Sequence, residues 1–150
     1  MPVMGVSRFE RFFRSVADLD VDKSDLKRYD EFVGRKLHDL IVVAEAKATA
    51  SGRDIVQPHD LPITRGLQQC IHEFERRVEP DIELTPILEQ LATLPPLDLS
   101  LADGTEARIP SVVGGLSVAL AHAFTVIDGT VRNPSSEDWE RAFRLFDLLL

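Results

Sequence analysis

Two long stripes of apolar residues at helical spacing, one in each half of the chain, constrain its fold more than any other feature. The first stripe consists of Leu26, Tyr29, Phe32, Val33, Leu37, Leu40, Ile41, Ala44 and Ala48. The second consists of Val113, Leu116, Leu120, Ala123, Phe124, Ile127 and Val131. A long helix with one apolar face is stable only when another element covers that face. We therefore expect the two long helices to cross, so that the chain supplies its own partner.

Shorter helical patterns stand on both sides of each long helix. The first short helix is predicted to start near Ser7 and to bury Phe9, Phe12, Phe13 and Val16. Its counterpart in the second half carries Leu84, Ile87, Leu88 and Leu91. The last helix is predicted to be capped by Ser135 or Ser136 and to carry Trp139, Phe143, Phe146 and Leu150. The sequence thus predicts an all-α fold, with short–long–short units over residues 7–78 and 82–150 of one domain, 1–150.

Polar and proline-containing segments separate these helices. The stretch "DLDVDKSD", residues 18–25, is predicted to be a loop, with Ser24 or Asp25 as the cap of the long helix and Gly52 at its end. The stretch "LPPLDLSLADGTEA", residues 94–107, is predicted to be the corresponding loop of the second half, and residues 132–134 are predicted to break the chain before the last helix. These segments set the boundaries of both units.

Arg53 and Asp60 stand seven positions apart in "GRDIVQPHDL". Between them, a β-branched pair, Ile55 and Val56, suits a brief extended segment, and Pro58 is predicted to open a third helix because the first turn needs no N–H at that position. With Asp60 in that first turn and Arg53 in the loop before it, the two side chains are expected to meet. We interpret the pair as a structural clamp on the third helix.

This stretch resembles the signature of archaeal histones, with Gly52, Arg53, Val56, Asp60 and Leu61 in step. Upstream, "RFFRSVADLDV" is similar to the first helix of those histones, and the resemblance covers residues 7–67. Taken whole, the chain looks like the bacterial family of single-chain histone-fold doublets. That resemblance implies two tandem histone-fold motifs packed as an intramolecular pseudodimer. The clamp of the second half is expected to be shifted or lost, because Trp139 stands seven residues after Arg132 and the nearest acid is Asp138.

The resemblance also implies weak, sequence-independent binding of double-stranded DNA by the first half. The candidate residues lie on the first helix and at the start of the long helix: Arg8, Arg11, Arg14, Lys23, Lys27 and Arg28. Two features oppose DNA binding. Asp54 and Ile55 follow Arg53, where archaeal histones have a basic residue and a hydroxyl donor, and the first loop is acidic. The alternative is a protein-interaction scaffold of the same fold that binds protein partners and no DNA.

The charge distribution differs between the halves and keeps both alternatives open. The net charge of the chain is −8. Residues 1–80 hold 13 Lys and Arg against 14 Asp and Glu, whereas residues 81–150 hold 4 against 11. Because binding to phosphate groups needs local positive potential, only the first half is a candidate for DNA binding. The acidic second half favours the scaffold.

No residue pattern indicates an enzyme, and we expect no cofactor and no small-molecule substrate. His72 and Glu73 lack the second histidine of a zinc-protease motif, because Arg76 stands at that position, so no metal is expected. The other three histidines, His38, His59 and His122, are interpreted as isolated, and Cys70 as a packing residue. Gly114 and Gly115 interrupt a helix, which favours a close helix crossing over a phosphate-binding loop.

The predicted location is the cytoplasm, or the nucleoid if the protein binds DNA. The N-terminal residues lack the basic and apolar segments of a signal peptide. The apolar runs are interpreted as too short and too interrupted to cross a bilayer. A single cysteine excludes an internal disulfide framework.

Overall fold

The structure, a computed structural model, describes residues 2–77 and 82–150, and these are mostly helical. The elements are α1 (Val6–Ala17), α2 (Lys23–Ala50), β1 (Ile55–Val56), a 3₁₀ turn (Pro58–Asp60), α3 (Arg65–Glu75), α4 (Leu84–Leu91), β2 (Ser100–Leu101), α5 (Asp103–Ile127) and α6 (Ser136–Leu149). Each half therefore contains a long helix between two shorter ones. The predicted all-α class is confirmed. The predicted end of the first unit, residue 78, lies outside the described residues.

The N-cap of α2 is Asp22, so the prediction of Ser24 or Asp25 was wrong by two or three residues. The Asp22 carboxylate accepts a hydrogen bond from the backbone N–H of Ser24 at 2.9 Å. Asp25, the third helical residue, accepts one from the backbone N–H of Asp22 at 3.2 Å. Together the two carboxylates satisfy the backbone N–H groups of Ser24 and Asp22, whereas a single serine side chain would satisfy only one of them. The sequence makes this capping box possible because Asp22 and Asp25 are three positions apart.

The third helix begins later than predicted. Pro58 opens only a 3₁₀ turn, and α3 starts at Arg65 with the hydroxyl of Thr64 accepting from the backbone N–H of Leu67 at 3.2 Å. The reason is Pro62, which disfavours helical backbone at the residue before it. Leu61 accordingly has the extended angles φ −62° and ψ 128°. Asp60 therefore lies in the 3₁₀ turn and not in the first turn of α3.

The long helix of the second half is shifted toward the N-terminus. It starts at Asp103, inside the segment predicted as a loop, and it ends before Val131. Asp103 and Glu106 favour a start here because acidic side chains stabilise the first turn of a helix. Thr105 reinforces the start by donating to the carbonyl of Val56 at 2.6 Å. The cap of α6 is Ser135, as predicted.

The two halves pack on one shared core rather than side by side. β1 pairs in parallel with β2, with Ile55 opposite Ser100 and Val56 opposite Leu101. At the other end of α2, the backbone N–H of Asp20 donates to the carbonyl of Arg132 at 2.6 Å. A loop of each half is thus bonded to a loop of the other at both ends of the long helices.

Helices α3 and α5 cross at close range. Gly114 faces the ring of Phe74, and Gly115 faces Ile71, with too little space at either glycine for a Cβ atom. The predicted role of this glycine pair in a close helix crossing is confirmed. By length and composition α5 could also cross a membrane, contrary to the interpretation of the apolar runs, but 61% of its most apolar stretch is buried inside the fold.

Candidate nucleic-acid interface

Helix α1 separates its apolar and basic residues onto opposite faces. Phe9, Phe12 and Phe13 are buried in the core. Arg11 and Arg14 are exposed, whereas Arg8 is half-buried. This follows from the helical period, because positions 11 and 14 fall on the face opposite the phenylalanine stripe. The helix therefore presents arginine side chains to solvent from a rigid support.

Arg14 lies near an acidic residue, Asp20. The Nε atom of Arg14 lies 3.6 Å from a carboxylate oxygen of Asp20, and both side chains are more than half exposed. An ion pair this exposed contributes little and is readily exchanged for another anion. Arg14 thus remains available to a phosphate group, although Asp20 competes for it.

Arg28 hydrogen-bonds with two other side chains of the protein. Its Nη1 donates to Asp25 at 3.2 Å, and its Nη2 donates to the hydroxyl of Ser136 at 2.6 Å. Asp25 is buried, and burial raises the pKa of its carboxyl group. Arg28 therefore ties α2 to the start of α6, and this engagement makes it less available to a phosphate group.

Lys23 and Lys27 lie along a shallow groove of about 660 Å³. The groove runs between the first turns of α2 and the helix α4, and its lining includes apolar side chains such as Val6 and Leu26. Three acidic residues also line it: Asp30, Glu31 and Glu89. The two lysines are exposed, but the surface around them carries both signs of charge.

Arg53 and Asp60 are in direct contact. The guanidinium group donates two parallel hydrogen bonds to the carboxylate, at 2.6 and 2.7 Å, and the backbone N–H of Gln57 donates a third at 2.8 Å. These bonds from Arg53 hold the pKa of the fully buried Asp60 carboxyl well below its usual range, although burial alone would raise it. The contact fixes the loop that carries β1.

The residues beside Arg53 do not extend the basic surface. Asp54 is exposed, and Ile55 belongs to β1. In the second half, the guanidinium of Arg132 lies 3.4 Å from Asp18, and Asp138 forms the capping box of α6 with Ser135. The arginine and the acid that could have formed a second clamp therefore have other partners.

Two polar clusters were missed by the sequence reasoning. Lys36, only 6% exposed in its side chain, lies 2.6 Å from Asp147 and 3.2 Å from Asp39. His122, interpreted as isolated, lies 3.0 Å from the Glu73 carboxylate. Burial raises the pKa of Glu73, but the hydrogen bonds from Arg77 and His122 outweigh it, and the net pKa is lowered. Asp147 stands 111 positions from Lys36, and His122 stands 49 positions from Glu73, so no local pattern could have indicated these two contacts.

Both clusters join residues of different helices. Arg77 links Glu73 to Ser15 of α1, donating to the serine hydroxyl at 2.8 Å. Nearby Cys70 has a pKa that burial raises, which disfavours the reactive thiolate. Within residues 2–77 and 82–150, no three His, Cys, Asp or Glu side chains are grouped to hold a metal ion.

A family model described as a domain of unknown function, DUF1931, matches residues 9–147, which is nearly the whole chain. The chain belongs to the DUF1931 family. This DUF1931 chain is 28% identical over 144 residues to an uncharacterised protein of Aquifex aeolicus strain VF5; the match covers 95% of this chain and 82% of that protein.

Two crystal structures resemble this DUF1931 chain over nearly their full length. A Thermus thermophilus protein is 47% identical, with a TM-score of 0.93 and 99% of each chain covered. An Aquifex aeolicus protein solved at 1.9 Å is 26% identical, with a TM-score of 0.81, and the match covers 96% of this chain and 94% of that one. The fold of this DUF1931 member is thus similar to two structures observed by crystallography.

Proposed function

We propose that this protein is a non-enzymatic histone-fold pseudodimer that associates weakly, and without sequence preference, with double-stranded DNA. The observation that carries the proposal is the exposure of Arg11 and Arg14 on the face of α1 opposite its buried phenylalanines. Lys23 and Lys27, exposed on the first turns of α2, are the remaining candidates for phosphate contacts. Arg8 and Arg28 contribute less because both are half-buried.

Three features support the histone-fold part of the proposal. The short–long–short order of helices occurs twice along the chain. Loops of the two halves are bonded to each other at both ends of the long helices. Arg53 and Asp60 make the bidentate contact that the resemblance to archaeal histones implies. A fused pair of units is stable independently of protein concentration, since neither has to find a separate partner.

Acidic neighbours explain why the association is expected to be weak. Asp20 competes for Arg14, the groove beside Lys23 and Lys27 contains three carboxylates, and Asp54 is exposed beside the clamp. With about three to four phosphate contacts, the logarithm of the binding constant should fall against the logarithm of salt concentration with a slope of roughly −3 to −4. Physiological salt would release most of the protein.

The double substitution Arg11→Glu, Arg14→Glu tests this interface. We expect it to abolish binding to a short labelled duplex in fluorescence anisotropy at low salt, because two of the available phosphate contacts become repulsive. The fold should be retained, since both side chains are exposed. Circular dichroism checks the fold in the same samples.

The matched control is Arg141→Glu, Arg144→Glu, which changes the net charge equally on exposed residues of α6. If α1 forms the interface, this control variant should bind the duplex with the same salt dependence as the parent protein. Equal loss in both variants would mean that only the net charge matters. Absence of binding by the parent protein at low salt would refute the DNA proposal and favour a protein-interaction scaffold, which the exposed acidic residues Asp18, Asp20 and Asp22 also suit.

A further inference from the structure

The shallow groove beside the start of α2 combines apolar and charged side chains on one surface. We call it the α2–α4 groove and define it by six of its lining residues: Val6, Lys23, Leu26, Lys27, Glu31 and Glu89. Leu26 is buried and Val6 half-buried, whereas the four charged side chains are exposed. An open groove of this kind suits a segment of another chain better than a small molecule, which needs to be enclosed.

The N-terminal segment of the protein forms one wall of the α2–α4 groove, through Pro2 and Val6. This wall is fixed to α2, because the backbone N–H of Val3 donates to the Asp30 carboxylate at 3.0 Å and the side chains of Val3 and Met4 are buried. The Asp30 carboxylate is thus used within the protein, and burial raises its pKa. The groove is therefore preformed, and its free charges are those of the two lysines and the two glutamates.

The two signs of charge are separated along the α2–α4 groove. The two lysines stand on the first two turns of α2, and Glu31 stands one turn beyond the second lysine. The side-chain amide of Gln90 donates to the backbone carbonyl of Asp30, so α4 brings Glu89 to the same end of the groove as Glu31. The groove therefore has a positive end and a negative end, about 12 Å apart along α2.

These four charges are not neutralised by neighbouring side chains. Within residues 2–77 and 82–150, no ion pair joins Lys23, Lys27, Glu31 or Glu89 to an opposite charge. Lys27 and Glu31 stand four positions apart, a spacing at which side chains on a helix are neighbours, and still do not pair. A partner with the opposite order of charges would therefore gain contacts at both ends without breaking an ion pair of this protein.

We propose that the α2–α4 groove binds an amphipathic helix of a partner protein, with acidic side chains at one end of the helix, basic side chains at the other, and an apolar face between them. The acidic end contacts the two lysines, the basic end contacts the two glutamates, and the apolar face packs on Val6 and Leu26. Docking of such a helix into a groove is a recurring mode of peptide recognition. The association is weak, because exposed ion pairs contribute little each. This inference does not rest on the proposed DNA association.

Two fluorescently labelled synthetic peptides test the proposal. Each is a helix-forming peptide of about 14 residues, long enough to span the groove. One carries its acidic and basic residues at opposite ends, and the other has the same composition with the charges alternating along the helix. In anisotropy titrations at low salt, up to about 1 mM protein, the charge-separated peptide should bind at least roughly fivefold more tightly than the alternating one.

Charge reversal at each end of the groove tests the site. Lys23→Glu with Lys27→Glu, and separately Glu31→Lys with Glu89→Lys, should each weaken binding of the charge-separated peptide roughly tenfold. The variant with all four changes should recover the binding, because the peptide can turn end for end in a groove whose charges are exchanged. All four side chains are exposed, so the fold should be retained, and circular dichroism checks it.

The matched control is Arg141→Glu, Arg144→Glu, which changes the net charge as much as reversal of the two lysines does but lies on α6. It should bind the charge-separated peptide as the parent protein does. The proposal is overturned if that peptide fails to bind the parent, or binds no better than the alternating peptide. Loss of binding in the control, or a folded fourfold variant that does not recover binding, also overturns it.

Discussion

Asp60→Ala is expected to lower the melting temperature of the protein by roughly 10 °C, the largest loss we predict for any single substitution of a polar residue. The Asp60 carboxylate is fully buried and accepts hydrogen bonds from both Nη atoms of Arg53 and from the backbone of Gln57. Its removal leaves the partly buried guanidinium and that N–H without their acceptor, and such orphaned groups account for most of the cost.

The loss should spread beyond the loop, because the loop holds the two halves together. Val56 accepts hydrogen bonds from Ala102 and Thr105, and β1 pairs with β2. Thermal unfolding followed by circular dichroism measures the effect. His59→Ala is the matched control: its ring is 70% exposed and lies 3.8 Å from Asp60, so it should change the melting temperature little. Equal, small shifts in both variants would contradict the clamp.

The Asp60 carboxylate should also affect how the free energy of unfolding depends on pH in acidic solution. The pKa of Asp60 is lowered in the folded protein, so its contribution is present above the pKa of an unfolded aspartate, near 3.9, and is lost as pH falls toward the folded value. In Asp60→Ala, unfolding free energy should therefore depend less on pH below about pH 4 than in the parent. Urea titrations at several acidic pH values measure this difference.

Sequence patterns correctly predicted those helices and caps that depend only on neighbouring residues. Helix α1 follows from the spacing of Phe9, Phe12 and Phe13, and the cap of α6 follows from Ser135 before an acidic first turn. The late start of α3 was also readable, since Pro62 disfavours an early one, but the more conspicuous Pro58 was given that role. In each of these cases the residues that decide the structure lie within a few positions of the element that they define.

The remaining errors concern contacts between distant parts of the chain. The acidic first turn of α5 was a local signal for its start, but nothing near Asp103 predicts the hydrogen bonds from Ala102 and Thr105 to Val56 that reinforce it. Arg28 counted as a basic surface residue until its contact with Ser136, 108 positions away, was seen. The buried Lys36 pairs with Asp147, 111 positions away, which the sequence analysis did not consider.

Gly115→Ala should lower the free energy of unfolding by about 1–3 kcal/mol, although alanine normally favours a helix by about 1 kcal/mol over glycine. A Cβ atom at Gly115 would overlap Cγ1 of Ile71 and stand 3.1 Å from its backbone nitrogen. The side chain of Ile71 could rotate, but the backbone of α3 could relieve the contact only by moving away from α5. Because α3 packs mainly on α5, that movement opens the core, and the packing loss exceeds the gain in helix propensity.

Denaturant unfolding of two further variants would test whether the loss in Gly115→Ala comes from the α3–α5 crossing. Gly66→Ala lies on α3, where no described residue outside its own helix comes within 4 Å of the new Cβ, so stability should stay unchanged or rise slightly. Gly114→Ala should be destabilising because its Cβ would overlap the Phe74 ring, and adding Phe74→Leu should recover part of that loss. That recovery would locate the cost at the α3–α5 crossing. If Gly115→Ala were as stable as Gly66→Ala, the two helices would not approach as closely as the structure places them.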